Sequence, residues 1–572
     1  MGKYIPNAFN LIVVIYVALG STSCSYGLAI LGSTVGQPSF YKSLGLAMQG
    51  EAGYSRTASL IGAFNGVGAA GACIGAIINS WSADALSRKL TIQIGAVILS
   101  IGAALCAASV NVGMFIFARF FAGVGIGMLV TCIPMYQAEV STPESRGFMV
   151  SMHGIMFAVG YGLSSWIGYG VYFISAGGSD STFPWRFPLA FQAAPALLML
   201  IGSPWLPYSP RWLMSKDRFE EAEAVLKRLH DRKGESNHET AIKEFYQMRK
   251  QLEQDRAVKA SISTFEVFRT AANRKRALIV AAMMWFNMFT GVLIIANYAV
   301  LLFTELGLTG STPLLLLAIW ITISFPGNVI TALFIDKWGR RKFMLVGATG
   351  IEISLILECV LQALYTGSST NAAGKSAAVF PVFLFICFWS SCFDATQYLY
   401  MSEIFPTGKP RSNSRVLGLQ EAKADSVMPA IRGQGTAVGM ANQFAAQIII
   451  LVAGPIALNN IGWKFFLGQS QRPLISPSFF LSHVLDTDVR IAVMACPTAL
   501  YIPVIYFFFP ETQNRSLEDI NAEFGDKVAV HYYGATAEEQ DEYAQAIGIE
   551  EQGGMLSAKA ALTEGVHYVE KA

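Results

Sequence analysis

Two charged turns, Asp84-Ala-Leu-Ser-Arg88-Lys89 and Asp336-Lys-Trp-Gly-Arg340-Arg341, sit 336 − 84 = 252 residues apart in a chain of 572. Each follows an apolar stretch long enough to cross a membrane. Their recurrence constrains the fold more than any other feature, because it makes the chain two related membrane bundles carrying the same acid-then-base turn. Chains built from repeated bundles place a binding site at the repeat interface and rock around it. The pattern therefore implies a carrier architecture.

With 53% hydrophobic and 14% charged residues, the chain is too apolar for an ordinary soluble protein. A membrane-spanning helix needs roughly 20 apolar residues. Twelve candidates fall near 9–33, 58–80, 90–110, 113–138, 149–174, 187–206, 277–303, 312–335, 342–365, 377–402, 433–458 and a last one ending at Phe509. The first follows Met1-Gly-Lys3 and reads as a retained span, with a signal anchor as the alternative. Lysine and arginine crowd the loops after even-numbered spans: Arg88 and Lys89, Arg146, the 211–276 stretch, Arg340 to Lys342, and Arg432. By the positive-inside bias both termini are cytosolic. A net charge of +2 gives no support to a nucleic-acid partner. The eight cysteines lack metal-ligand spacing and read as small core residues, so no metal is expected. Nor does the chain show a nucleotide-binding loop or a nucleophile constellation, which speaks against an enzyme and against a cofactor.

The organisation that follows is a six-span bundle over 1–207, a cytosolic linker over 208–276, a second six-span bundle over 277–510, and a cytosolic tail over 511–572. In the linker, Ala222, Val225, Leu226 and Leu229 follow amphipathic helix spacing, with Glu220, Glu221, Glu223, Lys227 and Arg228 on the other side. Two stretches look foreign. Glu139 precedes Arg146 by 146 − 139 = 7 residues, whereas Glu403 precedes Arg432 by 432 − 403 = 29, an excess of 22. That excess, near 408–430, is polar and patternless. A second polar stretch near 468–492 interrupts the last span with Arg472, Asp486, Asp488 and Arg490. Each charge would cost at least about 2.5 kcal/mol at a span centre. We read both stretches as translated intron sequence, with true loop insertions as the alternative.

Span 4 opens with Arg119, runs through Gly123-Val-Gly125-Ile-Gly127 and reaches Glu139, with Arg146 beyond. The second half repeats the theme with Glu403 and Arg432. Acids and bases at helix ends on the cytosolic side can close a gate by pairing across the bundles. Exposed pairs are weak enough to be broken in each cycle. The gating network expected on this ground is Asp84, Arg88, Arg119, Glu139, Arg146, Asp336, Arg340, Arg341, Glu403 and Arg432.

The run from Phe121 to Arg146, the two Asp-x-x-x-Arg loops, Pro207-Tyr-Ser-Pro210-Arg211-Trp-Leu213 and Pro510-Glu-Thr512 together resemble the sugar porters of the major facilitator superfamily. Trp185-Arg-Phe-Pro-Leu-Ala-Phe-Gln192 resembles the fungal members. The resemblance covers about residues 10–520. It implies an all-α integral membrane protein of twelve transmembrane helices in two pseudo-symmetric six-helix bundles, alternating access, and a site at the midplane. One turn departs from the pattern, with Ser80 and Ser87 where glycines are usual.

The substrate shell departs further. Gly154 stands where family members carry a sugar-contacting glutamine on helix 5, and Ser324 and Tyr398 replace an asparagine on helix 8 and a tryptophan on helix 10. Asn287, Asn297, Tyr298, Trp389, Tyr398, Asn442 and Gln443 remain as candidate substrate-binding residues. Where proton-driven members carry an aspartate after a Gly-Tyr pair on helix 1, this chain reads Ser25-Tyr26-Gly27. That favours facilitated diffusion of a monosaccharide or related polyol through the bilayer, at the plasma membrane. The alternatives are a proton-coupled symporter and a non-transporting sensor. Asp394, where glycine is usual, is the possible proton site, unless it sits in water near the outer mouth.

Overall fold

The computed structural model describes residues 7–48, 51–142, 145–176, 181–230, 271–305, 310–365, 377–405, 431–461 and 495–513, with isolated residues between 241 and 268 and between 520 and 524. The two suspect stretches, near 408–430 and 468–492, lie outside the described residues, as do most of the tail and the side chain of Arg432.

Twelve helical elements follow the twelve apolar runs. They are α1 (Ala8–Thr34), α2 (Tyr54–Ala85), α3 (Arg88–Ala107), α4 (Val112–Val140), α5 (Arg146–Ala176) and α6 (Phe183–Trp205) in the first half. The second half holds α7 (Ala271–Thr304), α8 (Thr312–Trp338), α9 (Arg340–Tyr365), α10 (Phe380–Ile404), α11 (Ile431–Ile461) and α12 (Ala495–Phe508). Ten of these are long and apolar enough to cross a membrane. Side chains at their starts satisfy amide groups that helix geometry leaves free. Asn7 accepts from the Phe9 N–H at 3.0 Å and Asn111 from the Met114 N–H at 2.8 Å.

The halves meet most extensively through two helix pairs, α2 with α11 and α5 with α8. Adding six to each number exchanges these pairs, so the interface obeys the pseudo-two-fold relation implied by the repeated turns. Within the first half, α2 and α4 approach so closely that a Cβ on Gly75 would lie 3.0 Å or less from α4 backbone atoms, and a Cβ on Gly127 from those of α2. Glycine is the residue that permits such contact between membrane helices. Beneath the first half, the amphipathic stretch forms the helix Phe219–His230, which buries Ala222 and Leu226 against Trp212 to Met214 and Leu229 against the main core.

The two charged turns also match in backbone shape. Gly339, three residues after Asp336, adopts φ 89°, and Ser87, three after Asp84, adopts φ 118°. A glycine takes such a conformation freely, whereas a side chain there costs about 1–3 kcal/mol. Ser87 offsets part of this by accepting the Leu90 N–H at 3.2 Å as the cap of α3. Glycine is itself a fair cap. Ser87→Gly is therefore expected to stabilise the protein by about 1 kcal/mol, read as a higher midpoint in thermal unfolding of the detergent-solubilised protein. An unchanged or lower midpoint would mean that the cap outweighs the strain.

Candidate functional site

Between the halves lies a cavity of about 50 Å³, room for a few waters in this conformation. The first half contributes Phe157 and Tyr161 from α5, and the second half contributes Ser324 from α8, Trp389, Asp394 and Tyr398 from α10, and Gln443 and Gln447 from α11. Each polar wall position has a local cause. Gln443 and Gln447 lie one helical turn apart and share a face. Gln443 donates to the Tyr398 hydroxyl at 3.5 Å. The Tyr398 ring stands edge-on to His153, 4.7 Å between centroids, and His153 Nδ1 lies 2.8 Å from Ser21 Oγ. Asp394 closes a π-helical turn, Ser390–Asp394, a distortion frequent at functional sites. Two of the carbonyls it displaces, those of Ser391 and Ser390, accept from Thr331 of α8 at 2.5 Å and 3.4 Å.

At the charged turns, each half carries a buried arginine between two carboxylates. Arg88 reaches Asp84 at 2.8 Å and Glu139 at 2.9 Å. Arg340 reaches Asp336 at 3.0 Å and Glu403 at 2.8 Å. The surroundings repeat as well. Ser209 donates to Glu139 at 2.5 Å and Thr512 to Glu403 at 2.7 Å. Tyr136 donates to the Pro207 carbonyl at 2.7 Å and Tyr400 to that of Pro510 at 3.0 Å. The Pro-x-Ser-Pro and Pro-Glu-Thr strings thus finish two copies of one cluster. Glu511 adds a cap to the second copy, accepting the Arg340 and Arg341 N–H groups at 2.8 Å and 3.1 Å.

The four ion pairs named above each lie within one half, whereas the sequence suggested pairing across the bundles; the side chain of Arg432 lies outside the described residues. One contact across the interface is made by a carboxylate and a helix end. Asp336 seats its carboxylate against the start of α5, where Gly147 leaves the space for it, since a Cβ there would collide with the carboxylate. Negative charge at a helix N-terminus is favourable. Arg146 opens that same helix and is buried. Arg119 does not belong to the cluster: it lies 139 − 119 = 20 residues before Glu139 on α4, about 30 Å along the axis. There it is buried in the first half and donates to the Gly27 carbonyl at 3.1 Å. Arg341 also points away from the cluster, donating to the Tyr506 carbonyl and lying over that ring at 5.2 Å.

Of the candidate substrate residues, the structure brings Trp389, Tyr398 and Gln443 together on the cavity. The others lie away from its wall. Asn287 bonds to Gln397, Asn297 to the Leu293 carbonyl of its own helix at 3.1 Å, and Asn442 to the Val438 carbonyl at 2.9 Å. Tyr298 ties α7 to α11 and α2, donating to the Leu451 carbonyl at 2.7 Å and accepting from Asn65 at 3.0 Å. Asp394 is not in water at an outer mouth; it is buried and lines the central cavity. Gln447, Gln397 and Tyr161 line it too and were missed, although Gln447 was findable as the residue one turn beyond Gln443.

With this geometry in hand, comparison with known proteins is specific. The family described as "Sugar (and other) transporter" matches residues 13–414. The MFS-type transporter criB of Aspergillus cristatus is 27% identical over 506 residues, covering 88% of this chain and 91% of that protein. The sugar transporter STL1 of Saccharomyces cerevisiae is 28% identical over 492 residues, covering 84% of this chain and 76% of that protein. Among solved structures, the proton:xylose symporter XylE, of E. coli, bound to 6-bromo-6-deoxy-D-glucose, superposes with a TM-score of 0.70 at 22% identity. That match covers 91% of this chain and 100% of the other, and carries the fold alone.

Proposed function

This chain belongs to the sugar (and other) transporter family of the major facilitator superfamily, and we propose that it carries a neutral monosaccharide or related polyol by facilitated diffusion. One observation carries the reading: a polar and aromatic cavity is shared by both halves, and Asp336 of the second charged cluster is seated against the start of α5 across the interface. Such a molecule alternates access when the latch opens and the opposite end closes. It is an integral multi-pass membrane protein, and the arginine-rich clusters argue for cytosolic termini and a plasma-membrane address. The units that move are 1–207 and 277–510, joined by the linker 208–276 and followed by the tail 511–572. The substrate-facing residues are Trp389, Tyr398 and Gln443, and the latch is Asp84, Arg88, Glu139, Arg146, Asp336, Arg340 and Glu403. The family match ends within the first of the two polar stretches, which supports reading that stretch as foreign to the carrier.

Diffusion without proton coupling has its own support near Gly27. Arg119 donates to the Gly27 carbonyl, and a side chain at position 27 would run into the amide of Gln192 from α6. The place of a titratable carboxylate on α1 is therefore filled by a neutral amide. Labelled glucose uptake in hexose-transport-deficient yeast tests the proposal. Saturable uptake that equilibrates and keeps at least about half its initial rate after a protonophore is expected. Accumulation above the external concentration, collapsed by the protonophore, would overturn the facilitator reading.

A further inference from the structure

The cavity wall has an unbalanced hydrogen-bonding character. Gln443 Oε1 and Gln447 Oε1 are buried acceptors with no partner of their own, beside one unpartnered donor, Trp389 Nε1. To these acceptors the wall adds the carboxyl group of Asp394, which is 5% exposed and, among the described residues, pairs with no cation. Its Oδ2 is held by Asn328 Nδ2 of α8 at 2.8 Å, and Asn328 is itself fixed by donating to the Ser324 carbonyl at 3.1 Å. The π-helical turn sets the residue at this point of α10, and Thr331 satisfies the carbonyls the turn leaves open. Every one of these contacts orients the carboxylate. None brings a positive charge to it.

We propose that Asp394 is the specificity-determining residue of the central site, accepting hydrogen bonds from two neighbouring hydroxyl groups of a neutral polyol while Asn328 fixes the carboxylate's plane. The inference rests on the transport reading above and names what that site selects. A wall rich in acceptors is completed by a ligand rich in donors, and a diol offers two O–H groups at a separation that one carboxylate can receive. A carboxylate acceptor gives stronger bonds than the amides it joins. A ligand lacking one of those hydroxyls leaves the charge unpaired, which is the situation in which polar sites discriminate most sharply. Positioning by Asn328 makes the preference depend on which two hydroxyls are adjacent, not on the total number.

The test is counterflow exchange in proteoliposomes holding the purified full-length protein, because exchange needs no ion gradient. The probes are labelled D-glucose, its 2-, 3-, 4- and 6-deoxy derivatives, and myo-inositol. Asp394→Asn is expected to raise the half-saturation concentration of the exchanged parent compound tenfold or more. The deoxy derivative lacking a bonded hydroxyl should lose about as much in the native protein and little more in the variant. Asn328→Ala keeps the carboxylate but frees its plane, so it should flatten the same position-specific preference; it carries the test if Asp394→Asn does not fold. Unchanged half-saturation, or a loss spread evenly over all derivatives, overturns the proposal. So does a variant whose exchange is intact while protonophore-sensitive accumulation disappears, since that marks a proton site. If the native protein exchanges none of the probes, the transport reading fails along with this one, whereas normal exchange with an indifferent Asp394→Asn sinks this inference alone.

Discussion

Arg340→Ala is expected to lower uptake at least tenfold and to open the cytosolic side. Arg340 is the sole described cation bridging Asp336 and Glu403, at 3.0 Å and 2.8 Å, with the Glu403 side chain 5% exposed. Removing one partner of a buried charge cluster costs about 3–5 kcal/mol, because it leaves carboxylates desolvated and uncompensated. Water can relieve that cost if the halves separate on the cytosolic side. Asp336 makes this outcome favourable, since the same carboxylate is seated against the start of α5 across the interface. The mutant should therefore populate the cytosol-open state, and cysteines placed in the inner lining should react with a permeant thiol reagent several times faster. Its neighbour provides the control. Arg341 lies against Tyr506, away from the cluster, so Arg341→Ala should change uptake less than twofold. Arg340→Lys should recover only part of the rate, because an ammonium lacks the fork that engages two carboxylates. Native uptake and native cysteine reactivity in Arg340→Ala would remove the latch from the mechanism.

The fold was legible because its signals are repeated and long. Twelve apolar runs set twelve helices, and the 252-residue spacing of the charged turns gave the two halves before any contact was known. The site was less legible, for a physical reason. In a membrane bundle an amide can face a neighbouring helix, its own helix or the path, and the linear pattern looks the same in each case. Asn297 and Asn442 bond to carbonyls one turn back on their own helices, while Gln443 and Gln447 turn to the cavity. Charge was misread for a related reason. Arg119 and Glu139 belong to one motif in sequence, yet α4 holds them 20 residues apart, Glu139 at its end and Arg119 two turns in from its start. Asp394 was visible as an intramembrane acid, but its depth depended on the π-helical turn and on Asn328, neither of which leaves a sequence mark.

Restoring the family's helix 5 glutamine should harm transport, not repair it. The sequence alone makes Gly154 look like a lost sugar contact, so Gly154→Gln reads as a gain. In the structure, an ideal Cβ at Gly154 would lie 2.6 Å from Asn328 Oδ1 and 2.7 Å from the Ala395 Cβ, with the Ala395 Cα at 3.2 Å. The space beside α5 is already occupied by an amide, brought in from α8 across the interface. Asn328 thus stands close to where the missing glutamine would begin, and it also holds Asp394. A side chain added to α5 must displace Asn328 or wedge α5 from α8 and α10. Overpacking of this kind costs typically about 1–3 kcal/mol, and here it also disturbs the carboxylate of the central site. Gly154→Gln is therefore expected to cut glucose uptake at least tenfold in surface-localised protein, and Gly154→Ala to cut it by a smaller factor through the same first carbon. Asn328→Ala should be partly corrective in the Gly154→Gln background, because it clears the nearer obstruction, although it is damaging alone. That sign reversal is the coupling a double-mutant cycle measures. Additive losses would place the two residues apart in the working protein, and a raised glucose affinity in Gly154→Gln would mean that α5 and α8 part further during the cycle than they do in this conformation.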